Sequence, residues 1–253
     1  MPSNNIYVFD FDGVVCDSTP ECLVTSWNAW ESFNNRDNFR ESLNEFSKDD
    51  INSFKELRYY VKGASDYYFL RRLLAEKREG VIKSYKDFEK IKEINPEHAK
   101  VFKKTFFESR NKLKLKSIEN WINLHEVYEE VISILKNFAL KKKLYIATLK
   151  DDESVKIILD KYNLNLKDEY IFHQGIIQTK IEALSEIRNI EKVDKEQIYL
   201  FDDNVDHLKE PHLAGFNSYQ TTWGNVPSDY IIESKKMGIP LINLDNLKDL
   251  ITS

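Results

Sequence analysis

The sequence predicts a parallel α/β protein that carries a second, helical domain inserted after its first strand. Short apolar runs alternate with amphipathic stretches from about residue 126 onward, which is typical of a Rossmann-like sheet sandwiched by helices. About a hundred polar and aromatic residues, with few strand signals, separate the first apolar run from the second. A stretch of that length is too long for an ordinary loop, so we expect it to be structured.

The first strand is predicted at residues 6–9, where Ile, Tyr, Val and Phe follow one another. Continuous hydrophobicity suits a central parallel strand that is covered on both faces. Further short apolar runs predict the strands that follow, at residues 144–148, 170–172, 197–201, 217–222 and 241–244.

Helices are predicted between these strands and within the insertion. Apolar residues recur at the spacing of one helical face over residues 127–138 and 155–162, and Asp151 with Asp152 is suited to begin the second of these helices. The insertion contains further stretches of this kind, at residues 64–77 and 97–113.

We therefore assign residues 1–18 and 125–253 to an α/β core and residues 19–124 to a helical domain. Basic and aromatic side chains of the helical domain could reach a substrate. A small helical core needs aromatic residues of its own, however, and we favour that second interpretation.

Composition and charge exclude several classes of protein. The chain has 253 residues, with 37 basic and 42 acidic side chains and a formal charge of −5. This mild acidity lacks the basic surface of a duplex-binding protein, so nucleic acid is not expected as a partner. The cysteines, Cys16 and Cys22, are too few for a disulfide framework and are not spaced like a zinc site, which fits a reducing compartment.

No secretory or membrane segment is expected. Residues 1–5 lack a basic segment followed by an apolar stretch, and no apolar run approaches the roughly 20 residues that span a bilayer. We therefore expect a cytoplasmic enzyme or binding protein that does not associate with membranes.

Two carboxylates follow the first strand directly, at Asp10 and Asp12. Because side chains alternate along extended backbone, both can point toward the crevice beyond the carboxyl ends of a parallel sheet, and Gly13 then permits a sharp turn. The pattern suits a nucleophilic carboxylate beside an acid/base carboxylate around a hard cation. The alternative is a strand that ends in an Asx-type turn.

Three further sites lie at or after predicted strand ends. Thr148 ends one apolar run, where its hydroxyl could donate to a phosphate oxygen or simply cap the next helix. Lys180 lies near the beginning of a helical pattern, although a lone lysine is usually a solvated side chain. Asp202 and Asp203 follow another strand, and adjacent carboxylates repel one another unless a cation or hydrogen-bond donors compensate.

Taken together and in this order, the four sites resemble the motifs of the haloacid dehalogenase superfamily, whose members are mostly phosphatases. The resemblance extends over nearly the whole chain, and the helical insertion resembles that family's C1-type cap domain. Its anchors are Asp10-Phe11-Asp12-Gly13-Val14-Val15, Asp17-Ser18, Thr148, Lys180, Asp202-Asp203, Leu213-Ala214-Gly215-Phe216 and Thr222-Trp223-Gly224.

The resemblance implies a magnesium-dependent phosphatase. Asp10 would attack phosphorus and form an aspartyl-phosphate, while Asp12 would protonate the leaving oxygen and later deprotonate water. Mg²⁺ would be held by a carboxylate oxygen of Asp10, the backbone carbonyl of Asp12 and the carboxylate of Asp203. Asp202 would be a further ligand, or a hydrogen-bond acceptor that contacts the ligands and not the ion.

The same resemblance implies how a substrate is held. Thr148 and Lys180 would neutralise the phosphoryl oxygens, and the backbone amides of Phe11 and Asp12 could add donors. A capped site favours a small phosphorylated metabolite as the partner, and the protein would be a monomer or homodimer.

The last motif departs from the family pattern. Members often have a Gly-Asp pair in this motif, with another acid four residues after that Asp. Counted from Asp203, that position is His207, and Asp206 falls one residue short. The working carboxylates are therefore either Asp202 with Asp206 or the adjacent pair. We favour the adjacent pair, because Asp203 keeps the usual distance to Gly215.

Three alternatives stay open. A phosphomutase of the beta-phosphoglucomutase type would use the same aspartyl-phosphate and return the phosphoryl group to bound substrate. A signalling receiver domain has a comparable acidic site, but it would place its acidic pair near the first strand and its lysine last. A catalytically weak binding or regulatory member of the family is the third alternative, because Leu149 stands where phosphatases commonly carry a small polar residue after the motif threonine.

Overall fold

The computed structural model describes residues 4–139, 143–224 and 226–252. The chain forms two compact units, one from Met1–Asp17 with Val127–Ser253 and the other from Ser18–Glu126. The first unit is α/β and the second is helical, so the predicted fold class, a Rossmann-like sheet with an inserted helical domain, is confirmed. Among the described residues, no helix combines the length and the apolar character that crossing a membrane requires.

The helical unit contains six α-helices and an aromatic core. Two of the helices, α3 and α5, overlap the stretches 64–77 and 97–113 that the sequence predicted to be helical. In chain order the helices are α1 Thr19–Phe33, α2 Lys48–Arg58, α3 Tyr67–Ala75, α4 Tyr85–Lys92, α5 Pro96–Lys116 and α6 Ile118–Asn123.

Stacked rings and a buried ion pair connect these helices. Tyr67 on α3 stacks between Phe54 on α2 and Phe106 on α5, with ring centroids 6.2 and 4.8 Å away. Glu21 on α1 is fully buried and accepts hydrogen bonds of 2.8 and 2.9 Å from Arg110 on α5. Tyr67, one of the aromatic residues of this domain, therefore belongs to its core.

The α/β unit is built on a parallel sheet. Its strands, together with a short additional pair, are β1 Ile6–Phe9, β2 Cys16–Asp17, β3 Glu126–Val127, β4 Lys143–Ala147, β5 Ile171–Phe172, β6 Ile198–Asp202, β7 Asn217–Thr221 and β8 Leu241–Ile242. Six of them form one sheet in the order β5-β4-β1-β6-β7-β8, and β2 pairs with β3. The strand β1 lies inside the large sheet, and all four of its residues are buried, as its continuous hydrophobicity predicts.

Aromatic side chains fix the register of three neighbouring strands. Phe9 on β1 stacks on Phe201 of β6 with ring centroids 4.6 Å apart, and Phe201 stacks on Tyr219 of β7 at 5.6 Å. A slip of one residue would turn every side chain of a strand to the opposite face, so this packing specifies the register strongly. As a result Asp10 and Asp202, which directly follow Phe9 and Phe201, lie at the same level of the sheet.

In the described residues, six helices accompany the sheet, and the caps of α8 and α9 show why these two helices begin where they do. They are α7 Glu129–Ala139, α8 Asp152–Lys161, α9 Lys180–Glu191, α10 Val205–Leu213, α11 Ser228–Met237 and α12 Leu244–Thr252. At the start of α8, Asp151 Oδ1 accepts a hydrogen bond of 2.9 Å from the backbone amide of Ser154, as predicted. At the start of α9, Thr179 and Glu182 form a capping box, so the helix begins at Lys180.

Three predicted strands are too long at their C-terminal ends: those at 144–148 and 217–222 by one residue, and the last one by two. The apolar run 241–244 forms a strand only at Leu241–Ile242, and Leu244 already belongs to α12. The reason is Asn243, whose side-chain oxygen accepts a hydrogen bond of 2.8 Å from the backbone amide of Asn246 and so satisfies a donor at the start of the helix.

Candidate functional site

A lysine lies between two aspartates at the carboxyl edge of the parallel sheet. Asp10 follows β1, Asp202 ends β6, and Lys180 is the first residue of α9. Lys180 Nζ lies 2.6 Å from Asp10 Oδ1 and 3.2 Å from Asp202 Oδ2, and it also donates to the backbone carbonyl of Ala147 at the end of β4. All three charged side chains are buried, so these interactions are shielded from solvent.

Burial and mutual charge shift the pKa values of the two carboxyl groups in opposite directions. Burial raises the pKa of Asp10 to about 6, and the opposing charge of Lys180 offsets this only in part. Burial also acts to raise the pKa of Asp202, but Lys180 and His207 outweigh it and bring that pKa to about 2. The pKa of Lys180 is raised above its usual value because Asp10 and Asp202 outweigh the effect of burial.

A glycine turn carries the chain onward from Asp12. Gly13 has a φ of +85°, in the left-handed region that favours glycine, and its amide donates to the carbonyl of Cys16 at 2.7 Å. A Cβ at Gly13 would lie 2.1 Å from Asp203 Oδ2. The lack of a side chain therefore allows the carboxylate of Asp203 to approach the segment that carries Asp10 and Asp12.

Thr148 directly follows the end of β4, and Phe11 lies two residues beyond the end of β1. Thr148 is 1% exposed; its amide donates to the carbonyl of Phe172 at 2.8 Å, and its Oγ1 accepts a hydrogen bond of 3.1 Å from the amide of Lys150. That second bond uses a lone pair of the hydroxyl oxygen and not its hydrogen. The ring of Phe11 is buried, and its carbonyl accepts a hydrogen bond of 2.8 Å from the amide of Val15.

Lys150 joins the site, although the sequence did not single it out. Its side chain is 1% exposed, and its Nζ lies 3.3 Å from Asp12 Oδ1. The signal that could have found it is its position two residues beyond Thr148, in the bend that follows β4. A single lysine in a lysine-rich sequence carries little information without the fold.

His207, which the sequence did not place in the site, also reaches the acidic centre. In the first turn of α10, His207 Nδ1 lies 3.2 Å from Asp202 Oδ2. Asp206 pairs with Lys209 at 2.7 Å, and the choice between Asp202 with Asp206 and Asp202 with Asp203 stays a prediction. The potential metal-ligating atoms of Asp10, Asp202 and His207 lie within 4.8 Å of one another.

The acidic centre suits a hard divalent cation. The buried carboxylates of Asp10 and Asp202 share the single ammonium of Lys180, so negative charge remains to be compensated. Asp203 adds a third carboxylate at the neighbouring turn. Carboxylate oxygens are the protein ligands that Mg²⁺ prefers, so the residues present fit this ion.

The fold and this centre define a class of α/β enzymes whose chemistry lies beyond the carboxyl ends of parallel strands. A sequence model of the haloacid dehalogenase-like hydrolases matches residues 5–215 of the chain. The chain therefore belongs to this family of hydrolases, and the resemblance noted from its motifs is confirmed. A comparison with curated proteins finds no match.

Solved structures share the fold over nearly the whole chain. A protein from Clostridium difficile, provisionally named as a phosphatase, is 17% identical with a TM-score of 0.62, and the alignment covers 99% of this chain and 100% of that one. A protein from Lactobacillus delbrueckii subsp. bulgaricus, provisionally named as a phosphoglycolate phosphatase, is 14% identical with a TM-score of 0.67 and 98% coverage of both chains. A similarly named protein from Haemophilus somnus is 16% identical with a TM-score of 0.64 and 99% coverage of both chains. At these identities the likeness shows the fold alone.

Proposed function

We propose that this hydrolase is a magnesium-dependent phosphatase that releases phosphate from a small phosphorylated metabolite through an aspartyl-phosphate. The observation that carries the proposal is the buried contact of Lys180 with Asp10 and Asp202 at the edge of the sheet. An ammonium group beside a nucleophilic carboxylate lowers the repulsion that a phosphate dianion meets as it approaches that carboxylate.

Asp10 is the nucleophile of this proposal. Its pKa of about 6 leaves the carboxylate largely ionised at neutral pH, which attack on phosphorus requires. As the bond from Asp10 to phosphorus forms, the bond to the leaving oxygen breaks. Water then attacks the aspartyl-phosphate and frees both phosphate and Asp10.

Asp12 and the phosphate-binding groups complete the reaction. Asp12 gives a proton to the leaving oxygen in the first step and takes a proton from the attacking water in the second. Thr148 donates its hydroxyl hydrogen, and Lys180 its ammonium hydrogens, to the phosphoryl oxygens as their charge shifts. The backbone amides of Phe11 and Asp12 provide further donors.

Mg²⁺, when bound, would offset the negative charge of the phosphoryl group and of the carboxylates around it. Asp10, the backbone carbonyl of Asp12 and Asp203 would hold the ion. Asp202 would serve as a further ligand, or would accept a hydrogen bond without contacting the ion.

We assign the chemistry to an α/β core of residues 1–18 and 125–253, and substrate selection to a cap of residues 19–124. A cap that closes over a reaction excludes water and large substrates, which favours small metabolites. Two proteins of the same fold are provisionally named as phosphoglycolate phosphatases. At their low identity those names do not narrow the substrate class beyond small phosphate monoesters.

The first prediction tests the nucleophile and the metal together. Asp10→Asn should lower the turnover of 4-nitrophenyl phosphate by about three orders of magnitude or more, because an amide cannot form the phosphorylated intermediate. EDTA should abolish turnover by the unmodified protein, and added Mg²⁺ should restore it. Release of nitrophenolate in a spectrophotometer measures both effects.

The matched control is Asp160→Asn, the same change at an exposed position on α8. It should leave turnover unchanged. Equal turnover by the Asp10→Asn variant and the unmodified protein would contradict the mechanism. A sugar monophosphate that yields an isomerised sugar phosphate instead of free phosphate would identify a phosphomutase.

A further inference from the structure

Lys150 is buried beside the carboxylate that we assign to proton transfer. Its side chain is 1% exposed, its Nζ lies 3.3 Å from Asp12 Oδ1, and the side chain of Asp12 is 24% exposed. Removing an ammonium group from water is costly unless an opposite charge compensates. Asp12 supplies such a charge when it is ionised. Its carboxyl group therefore contacts a buried group that restrains it.

The backbone holds Lys150 in place on both sides. The amide of Lys150 donates to Thr148 Oγ1 at 3.1 Å, and its carbonyl accepts a hydrogen bond of 3.3 Å from the amide of Gln174. Since the stem of the side chain is buried as well, the ammonium group has little conformational freedom left to lose when it contacts a partner. The ammonium group of Lys150 is therefore held in one place and can restrain the more exposed carboxylate of Asp12.

We propose that Lys150 is a positioning residue for proton transfer, which holds the carboxyl group of Asp12 where it meets the leaving oxygen. This inference rests on the proposed phosphatase function and adds a residue to it. Proton transfer requires the acid to lie within hydrogen-bond distance of the oxygen that it protonates. A side chain with partial solvent exposure satisfies that requirement only if something restrains it.

The proton balance of the step leaves Lys150 unchanged. When Asp10 bonds to phosphorus and the ester bond breaks, the electron pair of that bond passes to the leaving oxygen, which takes the proton of Asp12. When water attacks the aspartyl-phosphate, its proton passes to Asp12 and the electron pair of the broken bond returns to Asp10. Lys150 stays protonated throughout and acts only through its contact with Asp12.

The proposal is tested by comparing two leaving groups of similar shape, phenol and 4-nitrophenol. Phenolate is the more basic, so its departure depends more on a proton from Asp12. For Lys150→Met, we expect kcat/KM to fall about 10- to 100-fold further with phenyl phosphate than with 4-nitrophenyl phosphate. The ratio kcat/KM is used because it reports the steps up to loss of the first product, in which the leaving group departs.

Three further variants show how the two falls in kcat/KM are to be interpreted. Asp12→Asn should show the same preference for the better leaving group, because it removes the acid itself. Lys156→Met changes a lysine of α8 that pairs with Asp152 at 3.2 Å and Asp168 at 2.9 Å, and it should leave both substrates unaffected. Lys150→Arg should recover part of the phenyl phosphate activity that Lys150→Met loses.

Equal losses with both substrates, or no loss, would overturn the role of Lys150. If Lys150→Met does not fold, as judged by circular dichroism, Lys150→Gln is compared in its place and the same ratio decides. Failure of the underlying phosphatase proposal looks different, because neither substrate would then be turned over by the unmodified protein, or Asp10→Asn would remain active.

Discussion

Asp10 and Asp202 have different pKa values although both are buried and both contact Lys180. The pKa of Asp10 is raised to about 6, so the folded protein holds this proton more tightly than the unfolded chain does. The stability that protonated Asp10 contributes is present below about pH 4 and is lost as the pH rises through 6. Asp202, with a pKa of about 2, contributes in the opposite sense, and its share is lost as the pH falls toward 2.

This difference predicts how Asp10→Asn changes the stability of the metal-free protein. An amide stays neutral at every pH, so the variant avoids the cost of an ionised, buried Asp10. In EDTA, the gain in free energy of unfolding over the unmodified protein should be roughly 2–3 kcal/mol larger at pH 7.5 than at pH 4. Differential scanning calorimetry at the two pH values measures this, and Asp160→Asn should show no such dependence. An equal gain at both values would contradict the assigned pKa of Asp10.

Among the secondary structure elements, α9 bears most directly on the site, because its first residue is Lys180. The helix begins where it does because Thr179 Oγ1 accepts a hydrogen bond of 3.4 Å from the amide of Glu182, while the carboxylate of Glu182 bonds back to the amide of Thr179 at 3.3 Å. A change in this cap should therefore displace an ammonium group that contacts the nucleophile.

Thr179→Ala should accordingly affect both stability and catalysis. Loss of the cap should cost about 1 kcal/mol of unfolding free energy, and displacement of Lys180 should lower kcat by about 3- to 10-fold. Ser84→Ala removes the equivalent cap of α4 in the helical unit, where Ser84 accepts a hydrogen bond from the amide of Asp87. It should match the loss of stability in urea titration without lowering kcat. A similar fall in kcat for both variants would show that general destabilisation is responsible.

The sequence predicted secondary structure elements better than it predicted contacts between distant side chains. Continuous apolar runs located the strands of the large sheet, since a buried parallel strand has a clear pattern, but the same pattern extended a strand over Leu244, which is helical. Lys150 was missed for another reason. Its partner Asp12 lies 138 residues away in the chain, and only the pairing of β1 with β4 brings their ends together. Such a pair leaves no local signal.

At the scale of the whole molecule, each unit has a core of its own, and that separation can be tested through Glu21. Glu21→Ala would leave the guanidinium of Arg110 buried without the carboxylate that it contacts, and breaking such a pair costs about 3–5 kcal/mol. We expect amide hydrogen exchange to rise across residues 18–126 and to stay nearly unchanged in residues 127–253. Lys100→Ala, which breaks an exposed pair with Glu97, should change neither. Equal loss of protection in both units would show that they unfold together.

The position of β1 inside the sheet also constrains how the protein is made. This strand leaves the ribosome well before its neighbours β4 and β6, which begin only at Lys143 and Ile198. Until β4 and β6 have been synthesised, β1 lacks the strands that pair with it, and exposed apolar segments of this kind favour aggregation. Asp10 and Lys180 are 170 residues apart, so the nascent chain cannot assemble its acidic centre until Lys180 and, after it, Asp202 have been synthesised. A truncated product that stops before β4 would thus leave β1 without either of its partner strands and would lack both Lys180 and Asp202.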